Sequence, residues 1–158
     1  MSSATATRNR LEAWVSFLRA HAAITRQLNA DLLNAHGLTL SDYEVLLRLS
    51  SAEHQMMRRV DLAESVLLTA SGITRLLDGL ERGGFVEKAS CSSDARVSYA
   101  KLTGTGRRKL EEAAETHLAG IEELFTGRFG ASELDTLAGL LTRLPLTAHD
   151  CGSESCAP

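Results

Sequence analysis

The stretch from Leu68 to Thr103 constrains the fold more than any other part of this 158-residue chain. A helix is predicted over 70–82, because the Thr69 side chain can cap its first turn. Apolar residues at the helical period give it one buried face, formed by Ile73, Leu76, Leu77 and Leu80. The Gly83-Gly84 pair ends the helix, since glycine accepts the backbone angles that follow a helix C-terminus.

Two short runs rich in β-forming residues come next, at 85–89 and 97–102. The seven residues between them, SCSSDAR, are polar and turn-prone, so a β-hairpin is predicted. A shorter helix is predicted before this unit, at 62–67, where Asp61 and Glu64 have the spacing of a capping box. Two short helices followed by a hairpin are typical of a winged helix-turn-helix.

The rest of the sequence predicts long helices and little else. A helix capped by Thr7 is predicted to run from about 8 to 35 and to end at Gly37. A shorter helix follows to about Ser51, opened by a Ser41–Glu44 capping box, and 52–60 is interpreted as a polar connector. Two further helices are predicted at 104–126, capped by Thr103, and at 132–144, ended by Pro145.

The predicted fold class is therefore mainly α with a small β-hairpin. A winged helix-turn-helix lobe at 41–103 would join a helical dimerisation region at 8–36 and 104–145. Residues 1–7 and 146–158 are small or polar and are expected to be flexible tails.

Charge is unevenly distributed along the chain. The net charge is −3. Residues 58–109 hold ten Lys/Arg against six Asp/Glu, or +4, and the other seven bases and fourteen acids give −7. This pattern fits one phosphate-facing segment on an acidic body, with chance clustering as the alternative.

Several classes of protein are excluded or disfavoured. No apolar run could span a bilayer and no N-terminal signal core is present, so a cytoplasmic protein without membrane contact is expected. The three cysteines have no metal-ligand spacing and are expected to be reduced. No catalytic triad, phosphate-binding glycine loop or carboxylate cluster is found, so we expect neither an enzyme nor a cofactor or metal.

The polar face of the 70–82 helix is suited to DNA. Short polar side chains and arginine near the start of a recognition helix read base edges in the major groove, and an arginine at the hairpin tip can enter a minor groove. The alternative for the arginines is an ordinary solvated helix face. The candidate DNA-binding residues are Thr69, Ser71, Thr74, Arg75, Arg82, Asp94 and Arg96.

Three motifs in this region resemble those of the MarR (multiple antibiotic resistance regulator) family of bacterial transcription factors. The first is ITRLLDGLERGGFV at 73–86, with its helix followed by LE-x-x-G-hydrophobic-V. The second is Asp94-Ala95-Arg96, a D-x-R pattern, and the third is LTGTG at 102–106, an LT-x-x-G pattern. The order of the other helices fits as well, so the resemblance covers about residues 8–145.

The resemblance implies a symmetric homodimer in which the first and the last two helices of both subunits intertwine. It also implies that the two recognition helices enter successive major grooves of a pseudo-palindromic operator. Arg96 would be the wing arginine. The common wing has a basic residue between Asp and Arg, where this chain has Ala95, which predicts a weaker wing contact.

The resemblance further implies a small aromatic effector, which would relieve repression. Trp14, Phe17 and His21 share one stripe of the first helix, and with Tyr43 they could hold a phenolate or carboxylate. A hydrogen-bonded interface histidine is the alternative for His21, and a plain core position is the alternative for Trp14.

A thiol-based redox regulator is the alternative mechanism, because Cys91 lies in the predicted wing and Cys151 and Cys156 lie in the tail. Inert thiols are equally compatible with the sequence. A winged helix that binds protein instead of DNA would need an apolar or acidic recognition face, which Ser71, Thr74 and Arg75 do not provide.

Overall fold

The structure, a computed structural model, describes residues 2–66, 68–91 and 94–144, and of residues 2–10, 70, 91 and 94–96 it describes the backbone alone. The described chain is mainly helical with one small antiparallel sheet, which confirms the predicted fold class. Its helices are α1 (Ser2–His36), α2 (Leu40–Ser51), α3 (Arg59–Ser65), α4 (Ala70–Arg82), α5 (Gly104–Leu124) and α6 (Ala131–Leu141). Its strands are β1 (Met56–Arg58), β2 (Val86–Cys91) and β3 (Asp94–Leu102). Single 3-10 turns lie at Glu53–Gln55 and Thr126–Arg128.

The hydrophobic core lies around α2. Leu46 and Leu49 of this helix are fully buried, and they pack with Leu32 of α1, Leu62 of α3 and Leu77 of α4. The same cluster includes residues of the sheet and of α5. One core therefore connects the helix-turn-helix to the second half of α1, which fixes the orientation of α4.

The sheet has the order β1-β3-β2. The predicted hairpin of β2 and β3 is confirmed, but both strands run further towards its tip and leave only residues 92–93 between them. The interpretation of 52–60 as a connector is wrong, because Met56 to Arg58 pair with Lys101 to Tyr99 of β3. Three residues carry no strand pattern by themselves, and this strand forms only because β3 offers a free edge.

Helix caps agree with the predictions at two of five starts. The predicted cap at Thr7 is wrong, because α1 begins at Ser2 and Thr7 lies within the helix. The Thr69 hydroxyl accepts a hydrogen bond from the backbone N–H of Gly72 (3.1 Å), so α4 begins as predicted. The Thr103 hydroxyl accepts from the backbone N–H of Gly106 (3.0 Å) at the start of α5.

The two predicted capping boxes are wrong. The first, at Ser41 and Glu44, is displaced by a better one, in which Thr39 accepts from the N–H of Asp42 (3.1 Å) and Asp42 accepts from the N–H of Thr39 (2.8 Å). The second, at Asp61 and Glu64, is lost because Arg58 takes the Asp61 carboxylate through two donors, at 2.7 and 3.0 Å. Helix α3 begins at Arg59, two residues before Asp61, so Asp61 lies in the first turn of the helix and not at its cap.

Helix α1 is longer than predicted and begins at Ser2 instead of residue 8. The predicted flexible tail at 2–7 is helical in its backbone, because this segment contains no glycine or proline to interrupt α1. The helix ends at His36, and Gly37 follows with φ +67°, as the predicted glycine stop requires. Helix α6 ends at Leu141, so the prediction that it runs to 144 and is stopped by Pro145 is wrong. The predicted tail at 146–158 lies outside the described residues.

Candidate nucleic-acid interface

Helix α4 presents a polar face to solvent. Its apolar residues Ile73, Leu77 and Leu80 are buried against the core, as the sequence pattern predicts. The opposite side carries the exposed side chains of Ser71, Thr74, Arg75, Asp78 and Arg82. The four candidate DNA-binding residues in this set therefore lie together on one accessible helix face.

The start of this face is ordered by Thr69. Its hydroxyl oxygen caps the helix and lies 3.2 Å from the Ser71 hydroxyl oxygen. Thr69 is exposed, but its side chain is engaged in the cap, so its first contribution is to fix the helix start. The backbone N–H groups at such a helix end carry partial positive charge that favours phosphate oxygens.

The far end of the face is organised by Asp78. The Arg82 Nε donates a hydrogen bond to the Asp78 backbone oxygen (3.1 Å), which lays the Arg82 side chain back along the helix. The Asp78 carboxylate lies 4.0 Å from the Arg59 Nη2 of α3. Within the described residues, no carboxylate is found within ion-pair distance of Arg75.

The wing is anchored to the recognition helix. Lys88 of β2 pairs with Glu81 of α4 (3.3 Å), and Lys101 of β3 pairs with Glu87 of β2 (3.5 Å). The Thr103 hydroxyl donates to the Gly84 carbonyl oxygen (2.7 Å) and joins the base of the hairpin to the turn after α4. The predicted wing residues Cys91, Asp94 and Arg96 lie in the strands, but their side chains fall outside the described residues, so their roles stay predictions.

Three of the four predicted effector residues line up along α1. The rings of Trp14 and Phe17 lie 6.2 Å apart, and those of Phe17 and His21 lie 6.4 Å apart. All three side chains are exposed in the single chain. The fourth residue, Tyr43, is buried, and its ring lies 4.5 Å from that of His117 on α5.

The contact between Tyr43 and His117 joins α2 to α5. The Nδ1 atom of His117 is buried and has no hydrogen-bond partner among the described residues. Burial lowers the pKa of His117 and raises the pKa of Tyr43, because both rings are partly removed from water. One residue earlier on α5, the Thr116 hydroxyl is hydrogen-bonded to His36 Nε2 of α1 (2.7 Å).

Sequence reasoning missed the roles of Arg59 and His117, although each left a signal. Arginine is disfavoured in the first turn of a helix, where the macrodipole is positive, so Arg59 at the start of α3 suggests a specific partner. His117 continues the buried stripe of α5, in the register of Leu110 and Ala113, and is therefore a polar residue on an apolar face.

No cluster of three or more His, Cys, Asp or Glu side chains that could hold a metal ion is found in the described parts of the chain. No helix of those parts is long and apolar enough to cross a membrane.

Comparison with known proteins gives consistent results. The sequence model of the MarR family matches residues 38–98, which run from the start of α2 into β3. The chain is 33% identical over 85 residues to the HTH-type transcriptional repressor YetL of Bacillus subtilis (strain 168), a match that covers 54% of this chain and 51% of YetL.

Two solved structures extend the match to most of the chain. AbsC, a MarR family transcriptional regulator from Streptomyces coelicolor, is 31% identical with a TM-score of 0.77, over 83% of this chain and 88% of AbsC. Sco3205, another MarR family regulator from that organism, was solved in complex with DNA. It shares the fold at 23% identity with a TM-score of 0.81, over 86% of this chain and 85% of its own.

Proposed function

The chain belongs to the MarR family of transcriptional regulators, and we propose that it is a homodimer that binds a pseudo-palindromic operator and represses transcription until a small aromatic or phenolic ligand releases it. The exposed polar face of α4 carries the DNA-binding part of this proposal. Each further part rests on its own observation.

Recognition of DNA is assigned to the first half of α4. Ser71, Thr74 and Arg75 are exposed there, on a helix whose other face is locked into the core by Ile73 and Leu77. A rigid helix with short polar side chains and one long guanidinium fits the major groove, where arginine bonds guanine O6 and N7. Sco3205, which has the same fold, was solved with DNA, and this supports the assignment.

Dimerisation is supported by the apolar side chains that a single chain leaves exposed on its long helices. Exposed residues of this kind in the helical region include Leu11, Trp14, Val15, Phe17, Leu18, Leu118 and Leu140. An apolar surface of this extent is typical of a protein interface. A two-fold axis through it would place two copies of α4 on one face of the duplex.

The ligand that relieves repression is proposed to bind at the exposed side chains of Trp14, Phe17 and His21 on α1. Aromatic rings give an aromatic ligand a stacking surface, and an imidazole can bond its carboxylate or phenolate. The direction of control, repression, is proposed by analogy with YetL, which is named a repressor.

DNA binding is tested with fluorescently labelled duplex from immediately upstream of the protein's own coding sequence, by anisotropy over a range of salt concentrations. Affinity should fall steeply with salt, because phosphate contacts release counterions. Arg75→Ala should weaken binding to the specific site by about 1–3 kcal/mol, if Arg75 bonds a base edge, and should weaken binding to random duplex much less.

The control for the loss of one positive charge is Arg143→Ala, another exposed arginine, placed after α6. It should leave the affinity nearly unchanged. Equal affinity of the wild type for any duplex would contradict a sequence-specific regulator, and equal losses on specific and random DNA would limit Arg75 to phosphate contacts.

The ligand is tested by adding salicylate to the complex of protein and DNA, with binding to the free protein followed by calorimetry. Salicylate should release wild-type protein from DNA, and His21→Ala should need a higher concentration for the same release. If wild type and variant stay bound alike, the assignment of His21 and its neighbours fails, whereas DNA binding is unaffected.

A further inference from the structure

Arg59 contacts the recognition helix although it belongs to the helix before it. Its side chain is only 19% exposed, and its Nη2 lies 4.0 Å from the Asp78 Oδ1 of α4. None of the other ion pairs found in the described residues joins α3 to α4. The pair of Arg59 and Asp78 therefore bridges the two helices of the helix-turn-helix.

The position of Asp78 makes this bridge relevant to DNA. Asp78 lies three residues after Arg75 and four residues before Arg82, and side chains at these spacings are neighbours on a helix surface. With no other partner, the Asp78 carboxylate would pair with one of these guanidinium groups. An arginine held by such a carboxylate is less available to a phosphate or a guanine.

The observed geometry avoids that pairing. The Asp78 carboxylate is half exposed and lies on the side of Arg59, whereas Arg82 bonds the Asp78 backbone oxygen. Arg59 attracts this carboxylate because its Nη2 is buried and donates no hydrogen bond to any of the described residues. Its neighbour Arg58 differs, since Asp61 of the same helix satisfies it through two bonds.

We propose that Arg59 is a positioning residue for DNA recognition, which holds the Asp78 carboxylate away from Arg75 and Arg82 and so leaves both guanidinium groups to DNA. The inference rests on the proposed function, because it concerns the same face of α4. It assigns to Arg59 an effect on DNA affinity that passes through Asp78 and needs no contact between Arg59 and DNA.

The test is a set of four variants measured by anisotropy on the upstream duplex. Arg59→Met should raise the Kd roughly two- to fivefold, the range that a surface ion pair can produce. Adding Asp78→Asn to Arg59→Met should return the Kd to the wild-type value or below it, because the competing charge is gone. Asp78→Asn alone should not weaken binding, and Arg58→Met, which removes the same charge from the adjacent position, should change the Kd less than twofold.

The rescue by Asp78→Asn separates the proposal from a structural role. If Arg59→Met weakens binding and the second substitution does not restore it, Arg59 supports the fold alone and the proposal is wrong. An equal loss in Arg58→Met would reduce the effect to general charge and would also overturn it. Failure of the wild-type protein to bind the upstream duplex would overturn the proposed function, and with it the role of Arg59. Normal wild-type binding without the expected pattern among the variants would overturn the role of Arg59 alone.

Thermal unfolding is recorded for every variant, because the methionine side chain replaces a nearly buried guanidinium. If Arg59→Met does not fold at the assay temperature, Arg59→Gln takes its place, since glutamine is polar and suits a partly exposed site but carries no charge to hold the Asp78 carboxylate. The same loss and the same rescue are then expected, and their absence overturns the proposal.

Discussion

Gly106 explains, at the level of one residue, why the LT-x-x-G motif ends in glycine. It is the third residue of α5 and is buried against the segment that leads into β2. A Cβ atom at this position would collide with the Phe85 carbonyl oxygen and would approach the Leu102 side chain to 2.9 Å. The close approach lets α5 pack directly on the base of the wing.

We expect Gly106→Ala to destabilise the fold, although alanine normally stabilises a helix relative to glycine. The Phe85 oxygen belongs to the backbone and cannot rotate away, so the helix or the hairpin base must shift, at a cost of about 1–3 kcal/mol. Urea denaturation followed by circular dichroism measures this change in the free energy of unfolding.

Gly79→Ala is the matched control for this prediction. Gly79 is also helical, and nothing lies within 4 Å of the position its Cβ would take. The free energy of unfolding of Gly79→Ala should therefore rise by up to about 1 kcal/mol, because alanine has the higher helix propensity. Opposite signs for the two glycines support the steric explanation, and a gain at Gly106 would contradict it.

At the level of helices and strands, local signals located most elements but did not locate every boundary. Helix α4 and its cap follow from Thr69 and an apolar stripe, and all of this information lies within about fifteen residues. Strand β1 has no such signal, because Met56 to Arg58 become a strand through pairing with β3, more than forty residues later. The predicted capping box at Ser41 and Glu44 failed because Thr39 offered a competing acceptor for the start of α2.

In the candidate site too, local features could be predicted from the sequence, whereas contacts between helices could not. Exposure of Ser71, Thr74 and Arg75 follows from helix periodicity, so the polar face was predictable. The bridge from Arg59 to Asp78 and the contact of Tyr43 with His117 join residues from different helices, and no spacing in the sequence encodes the distance between them. Each becomes visible only when the helices are packed.

The contact between α2 and α5 leads to a prediction about pH. Burial lowers the pKa of His117 in the folded protein from its ordinary value of 6.5. The unfolded chain then binds the proton more readily, so the free energy of unfolding should fall as the pH drops below about 6.5 and through the folded-state pKa. At pH 8 both states hold a neutral imidazole and this contribution vanishes.

His117→Phe is the variant that isolates this effect. Phenylalanine keeps a ring against Tyr43 and removes the buried Nδ1, which has no partner among the described residues. Urea denaturation of both proteins between about pH 5.5 and 8 should show a smaller loss of stability for the variant at the acidic end. If the two curves stay parallel over the whole range, His117 does not contribute to the pH dependence.

At the level of the whole molecule, the chain is divided between a closed core and open helices. The core around α2 includes the apolar side chains of the helix-turn-helix and of the sheet. By contrast, every described side chain of α1 from Leu11 to Ala23 is exposed, although this segment contains several large apolar residues. A helix of this composition is stable in water mainly through packing against another surface. The second copy of the chain is the partner that the family membership suggests.

We therefore expect Leu18→Glu to convert the proposed dimer into monomers, because it places a charge in an interface that would exclude water. Leu47→Glu is the matched control, since Leu47 on α2 is 43% exposed and Leu18 is 44% exposed. Sedimentation should give the mass of one chain for Leu18→Glu and the mass of two chains for Leu47→Glu.

The affinity for DNA should fall when the dimer is lost, because a monomer binds a single half-site. A dimer gains from the high effective concentration of its second recognition helix, which raises the affinity by a factor on the order of 10²–10⁴. A Leu18→Glu protein that stays dimeric would exclude this part of α1 from the interface, and a monomer with wild-type affinity would show that one recognition helix is enough.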